Sequence, residues 1–485
     1  MKEFWKTGVL VLVLAAVGSY IWFVERKQEP KPEGEQKKIT LLTVDKAKAK
    51  ELTVAVKGGD SIDIVKEGSF WKLKSPFAAP ADTSAVESMF TSLEKLEADE
   101  LVADQVKDFA QYGLDAPSRS VKVAVEGAPQ PLAIDFGAKS PDSANVYARK
   151  PGEAKVYLVA SWVEGSFDKK PFDLRDRDLL HVKRDDVRSL EVAGPEGGYA
   201  LARTEAGEWA FTKPLATRAG RWSVDGLLGT VEGLRMESVA GESVSDPKEL
   251  ARFGLAKPTR TVTLVTKDGS SRTLEIGAAA PDPNPTPTPS PTPTPSPSPG
   301  KKGEKKAEKP APPKPTKYYA RQAGTALVAV VPAALVDDLA KGMGELRAKR
   351  LMEVATYETE GFEVTAAGAT KKYAKSTTKD KDGVDKTLWK RTAPDAKDLD
   401  TTKVEDALFK IGGVDVSEFV DAPKAPAEYG LDAPVLKVTL KAKTDSGIEV
   451  GKKDASYYAR RTGDSAILKL DATKAEELVK AFGEL

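Results

Sequence analysis

The chain has 485 residues, 40% of them apolar, and its 74 basic and 73 acidic side chains leave no whole-chain field to attract nucleic acid or an acidic substrate. With no Cys and a single His, His181, it excludes disulfide frameworks, thiolate metal sites, Cys nucleophiles and multi-His zinc motifs. A chain of this length suggests about three domains of ~150 residues.

Residues 7–24 form an uncharged apolar run near the lower length limit for a membrane-spanning helix, with Trp5 at one end and Tyr20 and Trp22 at the other. The competing reading is a cleaved signal peptide with Lys2 and Lys6 at its basic start. The bulky Tyr20, Ile21, Trp22 and Phe23 continuation favours retention, so residues 1–37 are expected to be a transmembrane anchor and linker. Basic residues lie beyond the run as well, at Arg26, Lys27, Lys31, Lys37 and Lys38. The very short N-terminal tail makes signal-anchor insertion, with the bulk of the chain exported, the expected route.

From residue 38 onward one pattern occurs three times. Trp71, Trp209 and Trp389 are followed by Pro76, Pro214 and Pro394, then by Gly113-Leu114, Gly254-Leu255 and Gly430-Leu431. Pro117, Pro258 and Pro434 close that second element, and a Tyr-Ala-Arg triplet follows at Tyr147, Tyr319 and Tyr458. Self-similarity of this kind sets the architecture: one unit used three times, over residues 38–175, 176–347 and 348–485.

Each copy opens with short alternating segments, Leu42-x-Val44 and Leu52-x-Val54 in the first, Leu180-x-Val182 and Leu190-x-Val192 in the second, Met352-x-Val354 and Phe362-x-Val364 in the third. Period two marks them as strands with one buried face. A hairpin ending on the Trp comes next, with Gly68, Gly207 or Gly383 in the turn. A helix follows, carrying Val86, Met89, Phe90 and Leu93, then Val224, Leu227, Leu228 and Val231, then Val404, Leu408 and Ile411. Its N-cap candidates are Asp82 and Thr83, Ser223, and Thr401 and Thr402. After the Gly-Leu-x-x-Pro reversal come further strands, the Tyr-Ala-Arg strand among them, and a closing helix. The expected fold class is α+β: a transmembrane helix, then three repeats, each a small antiparallel sheet with helices.

The repeat also places the Pro/Thr/Ser- and Lys-rich tract, about 280–316. Gly277 and Tyr319 stand far apart, whereas their counterparts Gly137 and Tyr147, or Gly451 and Tyr458, are close. The tract is therefore an insertion within one strand connection of the second copy, expected to stay extended and disordered. Its lysines, from Lys301 to Lys317, make a local basic excess suited to anionic lipid or cell-wall polymer, or simply to a solvated spacer.

Candidate chemistry is sparse. Ser92-x-x-Lys95 and Ser143-x-Asn145 match two penicillin-binding signatures, but the third, Lys6-Thr7-Gly8, stands in the wrong order. The run from Asp380 to Asp385 has a calcium-loop flavour without the required Glu, and reads as a charged hairpin turn. His181 reads as an exposed strand residue. The three Trp are core residues by default and sugar-stacking platforms by exception. Tyr147 and Arg149, Tyr319 and Arg321, and Tyr458 and Arg460 each share a strand face, and form a tentative interaction surface whose ordinary reading is a cross-strand pair. No catalytic, cofactor or metal residues are assigned.

The Trp-x-x-x-x-Pro hairpin, the Tyr-Gly-Leu-Asp-Ala-Pro element at 112–117 and 429–434, Tyr-Ala-Arg and the apolar N-terminus together resemble the bacterial DUF4340 family over most of the chain after Lys38. The family's domain is of unknown function, and its members are associated with ABC-type transporters of the gliding-motility kind. The resemblance implies a non-enzymatic cell-envelope scaffold or accessory subunit, single-pass in the bacterial inner membrane with its bulk periplasmic. Its partners would be the membrane and a membrane-complex protein, with no nucleic acid and no cofactor. A glycan- or peptidoglycan-binding module using the Trp and Tyr faces is the alternative, and an envelope hydrolase comes third. The Pro-rich insertion departs from the family pattern and puts the second copy's partner surface in doubt.

Overall fold

A computed structural model describes residues 38–281 and 314–485, apart from Glu196, Ala206, Glu353, Ala355, Tyr357, Asp380, Asp382, Gly383, Val384, Lys443 and Thr444. The chain divides after Arg177 into two compact units. The first holds one copy of the repeat and the second holds two.

Each copy is a nine-stranded antiparallel sheet, and the strand order is the same in all three. In the first copy the sheet runs from Ala79–Pro80 through Phe70–Ser75, Ile62–Glu67 and Ala49–Val56 to Arg119–Val125. It continues through Leu132–Lys139, Asn145–Arg149 and Val156–Ala160 to the edge strand Glu100–Ala103. The outer strands of the second sheet are Thr217–Arg218 and Ser238–Gly241, and those of the third are Lys397–Asp398 and Val416–Val420.

This corrects the expected fold class. The protein is mainly β, with strand residues well outnumbering helical ones, and the sheets are large rather than small. The sequence pattern misses both edge strands of every sheet. An edge strand has one neighbour and little burial, so Glu100–Ala103, Ser238–Gly241 and Val416–Val420 show no alternation of apolar and polar residues. The expected transmembrane helix is not supported either. No helix among the described residues is long and apolar enough to cross a membrane, and residues 7–24 lie outside the described residues. The Pro-rich insertion is likewise undescribed from residue 282 to 313.

The first segment of each copy also differs from expectation. Ile39–Leu42 is a true strand pairing with Leu96–Ala98, but the corresponding segments of the other copies make one bridge each, Asp178 with Arg235 and Arg350 with Asp415. His181 is exposed and has φ 51°, which breaks the extended chain between buried Leu180 and Val182.

One long helix lies across each sheet: Thr83–Glu94, Arg221–Glu232 and Thr401–Gly413. Asp82 and Asp400 cap the first and third through their carboxylates. The second starts on Gly220, which brings no capping side chain; a Cβ there would meet the Arg347 carbonyl oxygen at 3.1 Å. Under the helices lie Trp71, Trp209 and Trp389, all buried. Trp71 stacks on Phe90 at 5.2 Å and Trp389 meets Phe362 edge-on at 5.3 Å. The Pro five residues beyond each Trp follows a cis peptide bond in every copy.

In the second unit the two copies are joined by residues 346–351. Arg347 bridges to Ala219 at the edge of one sheet, and Arg350 bridges to Asp415 beside the edge of the next. Arg461 seals the joint: its Nε donates to Asp464 Oδ2 at 2.6 Å, and Nη1 donates to the Ala348 and Arg350 carbonyls. Asp464 in turn accepts from the Arg218 amide at 2.8 Å. Both side chains are fully buried, so the pair is held by geometry and hydrogen bonds rather than by solvent.

Candidate functional site

The Tyr-Ala-Arg strand alternates its faces. Ala148, Ala320 and Ala459 are fully buried, while Tyr and Arg point to the opposite side of the sheet. There the Gly-Leu-x-x-Pro element folds back over the strands. Gly113, Gly254 and Gly430 adopt φ of 65°, 70° and 68°, the left-handed region that Gly enters without steric cost. Leu114, Leu255 and Leu431 are buried beneath the reversal. The aromatic residue before each Gly meets the Tyr edge-on: Tyr112 with Tyr147 at 5.1 Å, Phe253 with Tyr319 at 4.9 Å, Tyr429 with Tyr458 at 5.2 Å. A second Gly, at 137, 277 and 451, lets the reversal touch the sheet, because any Cβ there would strike the carbonyl oxygen of Tyr112, Phe253 or Tyr429.

The arginines are paired across strands. Arg149 Nε donates to Asp135 at 3.3 Å and Arg321 Nε to Glu275 at 2.6 Å, while Arg460 reaches Glu449 through both Nε and Nη2. Sequence reasoning missed these carboxylates, although an acidic residue stands two positions before the same Gly in every copy. Each row extends one strand further, to Ser120, Thr261 or Lys437. The six residues of the tentative surface therefore fall into three separate rows, one per sheet.

The rows differ in how open they are. Phe109 lies over the Arg149 guanidinium at 4.3 Å, and Ser120 donates to Asp135 at 2.7 Å, which closes the first. The Arg149 and Arg321 side chains are 22% and 15% exposed, against 46% for Arg460. Over the third row is a cleft of about 320 Å³, lined by Lys437, Thr439, Gly447, Glu449, Arg460 and the 461–464 turn among others. Lys437 Nζ lies 3.1 Å from Glu449 Oε1, so this carboxylate serves two cations. Burial alone would raise the Glu449 pKa, but hydrogen bonds from Arg460 and Lys437 and their charges outweigh it and hold the carboxyl below its usual range. Lys437 escapes notice in the sequence because it breaks the repeat instead of following it.

The other sequence candidates stand apart from the cleft. Ser92 is a buried helix residue, and Ser143 has φ 62° in the turn before the Tyr-Ala-Arg strand of the first copy. Most of the run from Asp380 to Asp385 lies outside the described residues. Among the described residues no group of three or more His, Asp and Glu side chains is placed to hold a metal ion.

The family model described as a domain of unknown function, DUF4340, matches residues 71–219, 209–284, 309–434 and 389–485. Three of those matches begin on Trp71, Trp209 and Trp389, the residues that open the shared pattern. The chain belongs to this family. No curated protein matches it.

Proposed function

We propose that this DUF4340 member is a non-enzymatic scaffold or accessory subunit of a membrane complex in the bacterial cell envelope, its bulk periplasmic and its partner of the ABC-transporter, gliding-motility kind. One observation carries this reading. The residues that recur in all three copies, Trp, Tyr, Gly and the Arg–carboxylate pair, are engaged in packing, turns and cross-strand ion pairs. Repetition of a sheet without repetition of chemistry suits a protein that offers surface.

The recurrent Trp faces on which the glycan-binding alternative rests, Trp71, Trp209 and Trp389, are buried, so the scaffold reading is preferred. The test is retention of the full chain on a purified transporter membrane subunit, set against sedimentation on purified cell wall. Retention on the membrane subunit is the expected result. Binding to the wall fraction alone would overturn the proposal.

A further inference from the structure

We propose that the cleft of the third copy receives a carboxylate side chain from an acidic peptide segment of a protein partner. The inference rests on the scaffold reading above and names the chemistry of the contact. The cleft holds one cation more than it neutralises. Arg461 and Asp464 cancel each other in a buried pair, and Glu449 is shared by Lys437 and Arg460, whose side chains are 51% and 46% exposed. Arg460 commits Nε and Nη2 to Glu449, which leaves Nη1 without a partner among the described residues. The unmatched Nη1 of Arg460 and the Lys437 ammonium flank Glu449 on one sheet face, and together they suit a carboxylate.

The other copies lack the arrangement. Ser120 and Thr261 stand where Lys437 does, and Ala133 and Thr273 where Gly447 does. A Cβ at 447 would come within 3.0 Å of Thr462 Oγ1, so Gly447 keeps the floor low. The cleft lies open on a sheet face, so a small free acid finds few walls, whereas a peptide continues along the surface beside its docked side chain.

The experiment uses the full chain and a fluorescein-labelled peptide of alternating Glu and Gly, followed by anisotropy at low ionic strength. Lys437→Thr, which installs the second copy's residue, is expected to weaken binding about three- to ten-fold. Gly447→Thr, again the second copy's residue, is expected to weaken it with every charge retained. Lys122→Thr removes a lysine from the first copy and is expected to leave binding unchanged. Equal losses in Lys122→Thr and Lys437→Thr, or no loss in Lys437→Thr, would overturn the assignment. So would a phosphoserine peptide that binds through Lys437 as tightly as the Glu peptide. Lys437-dependent peptide binding without retention on a membrane subunit rejects the scaffold reading and keeps the cleft. Retention without peptide binding rejects the cleft alone.

Discussion

On its helix-covered face each sheet repeats slot for slot, with Trp71, Trp209 and Trp389 buried alike above the inward side chains of the Thr83–Glu94, Arg221–Glu232 and Thr401–Gly413 helices. On the opposite face the copies part company. The outer residue of the carboxylate row is Ser120, Thr261 or Lys437, and the residue whose carbonyl caps the reversal is Phe109, Leu250 or Pro426. Close packing explains the contrast. A buried slot accepts only side chains of matching shape, whereas a half-exposed row changes its chemistry at little cost in stability. Divergence among the copies therefore collects where packing constrains it least.

The comparison breaks first at the tryptophans. Trp71→Ala, Trp209→Ala and Trp389→Ala are each expected to cost about 3–5 kcal/mol, read from hydrogen exchange in the surrounding strands, and markedly unequal losses would deny that the slots are interchangeable. Asp464→Ala, which strands buried Arg461, is expected to cost about 3 kcal/mol and to raise exchange at 216–219 and 346–351 together. Local exchange confined to the 462–465 turn would mean that the joint does not depend on the pair. Gly451→Ala would place a Cβ 2.5 Å from the Tyr429 carbonyl oxygen, at an expected cost of about 1–3 kcal/mol in urea unfolding.

Acid sharpens the same contrast more gently. The folded Glu449 carboxyl sits below its ordinary range, so its stabilising contribution is present above about pH 4.3 and is lost as pH falls through the lower folded value. Glu449→Gln should flatten that acid limb in melts from neutral to acid pH, by less than about 1 kcal/mol because the pair is partly solvated. The smallest effect belongs to Trp222, 78% exposed, where Trp222→Ser should shift the urea midpoint by no more than about 0.5 kcal/mol. A larger loss would reveal a contact on the helix exterior.

What the sequence disclosed follows from what repetition discloses. Trp71, the Gly113 and Gly137 pair and Ala148 recur because each fills a site with one steric solution, and three alignments of one pattern expose them. The edge strands recur too, but Glu100–Ala103 and Val416–Val420 share neither residues nor periodicity, since half of each strand's backbone faces no partner. The Tyr and Arg positions and their cross-strand pairing were visible, and the identity of the partners was not. Tyr147 meets Tyr112, and Arg149 meets Phe109, through a chain reversal that strand periodicity does not encode, while the Arg149–Asp135 pair depends on a strand register that one strand alone does not show. Lys437 stands where the third copy departs from the other two, so a pattern built on recurrence omits it.

The strands on either side of the long insertion are stitched together at its base. Ala279 pairs with Tyr318, the Ala280 amide donates to the Lys317 carbonyl at 2.9 Å, and the Ala333 amide donates to Thr316 at 2.8 Å. Chain length beyond such a seam adds closure entropy only logarithmically, so the sheet is indifferent to how much polypeptide leaves and returns there. The second copy thus carries a natural splice point, where a fluorescent or affinity module can be grafted while the strand ladder, and the cleft in the following copy, keep their native form.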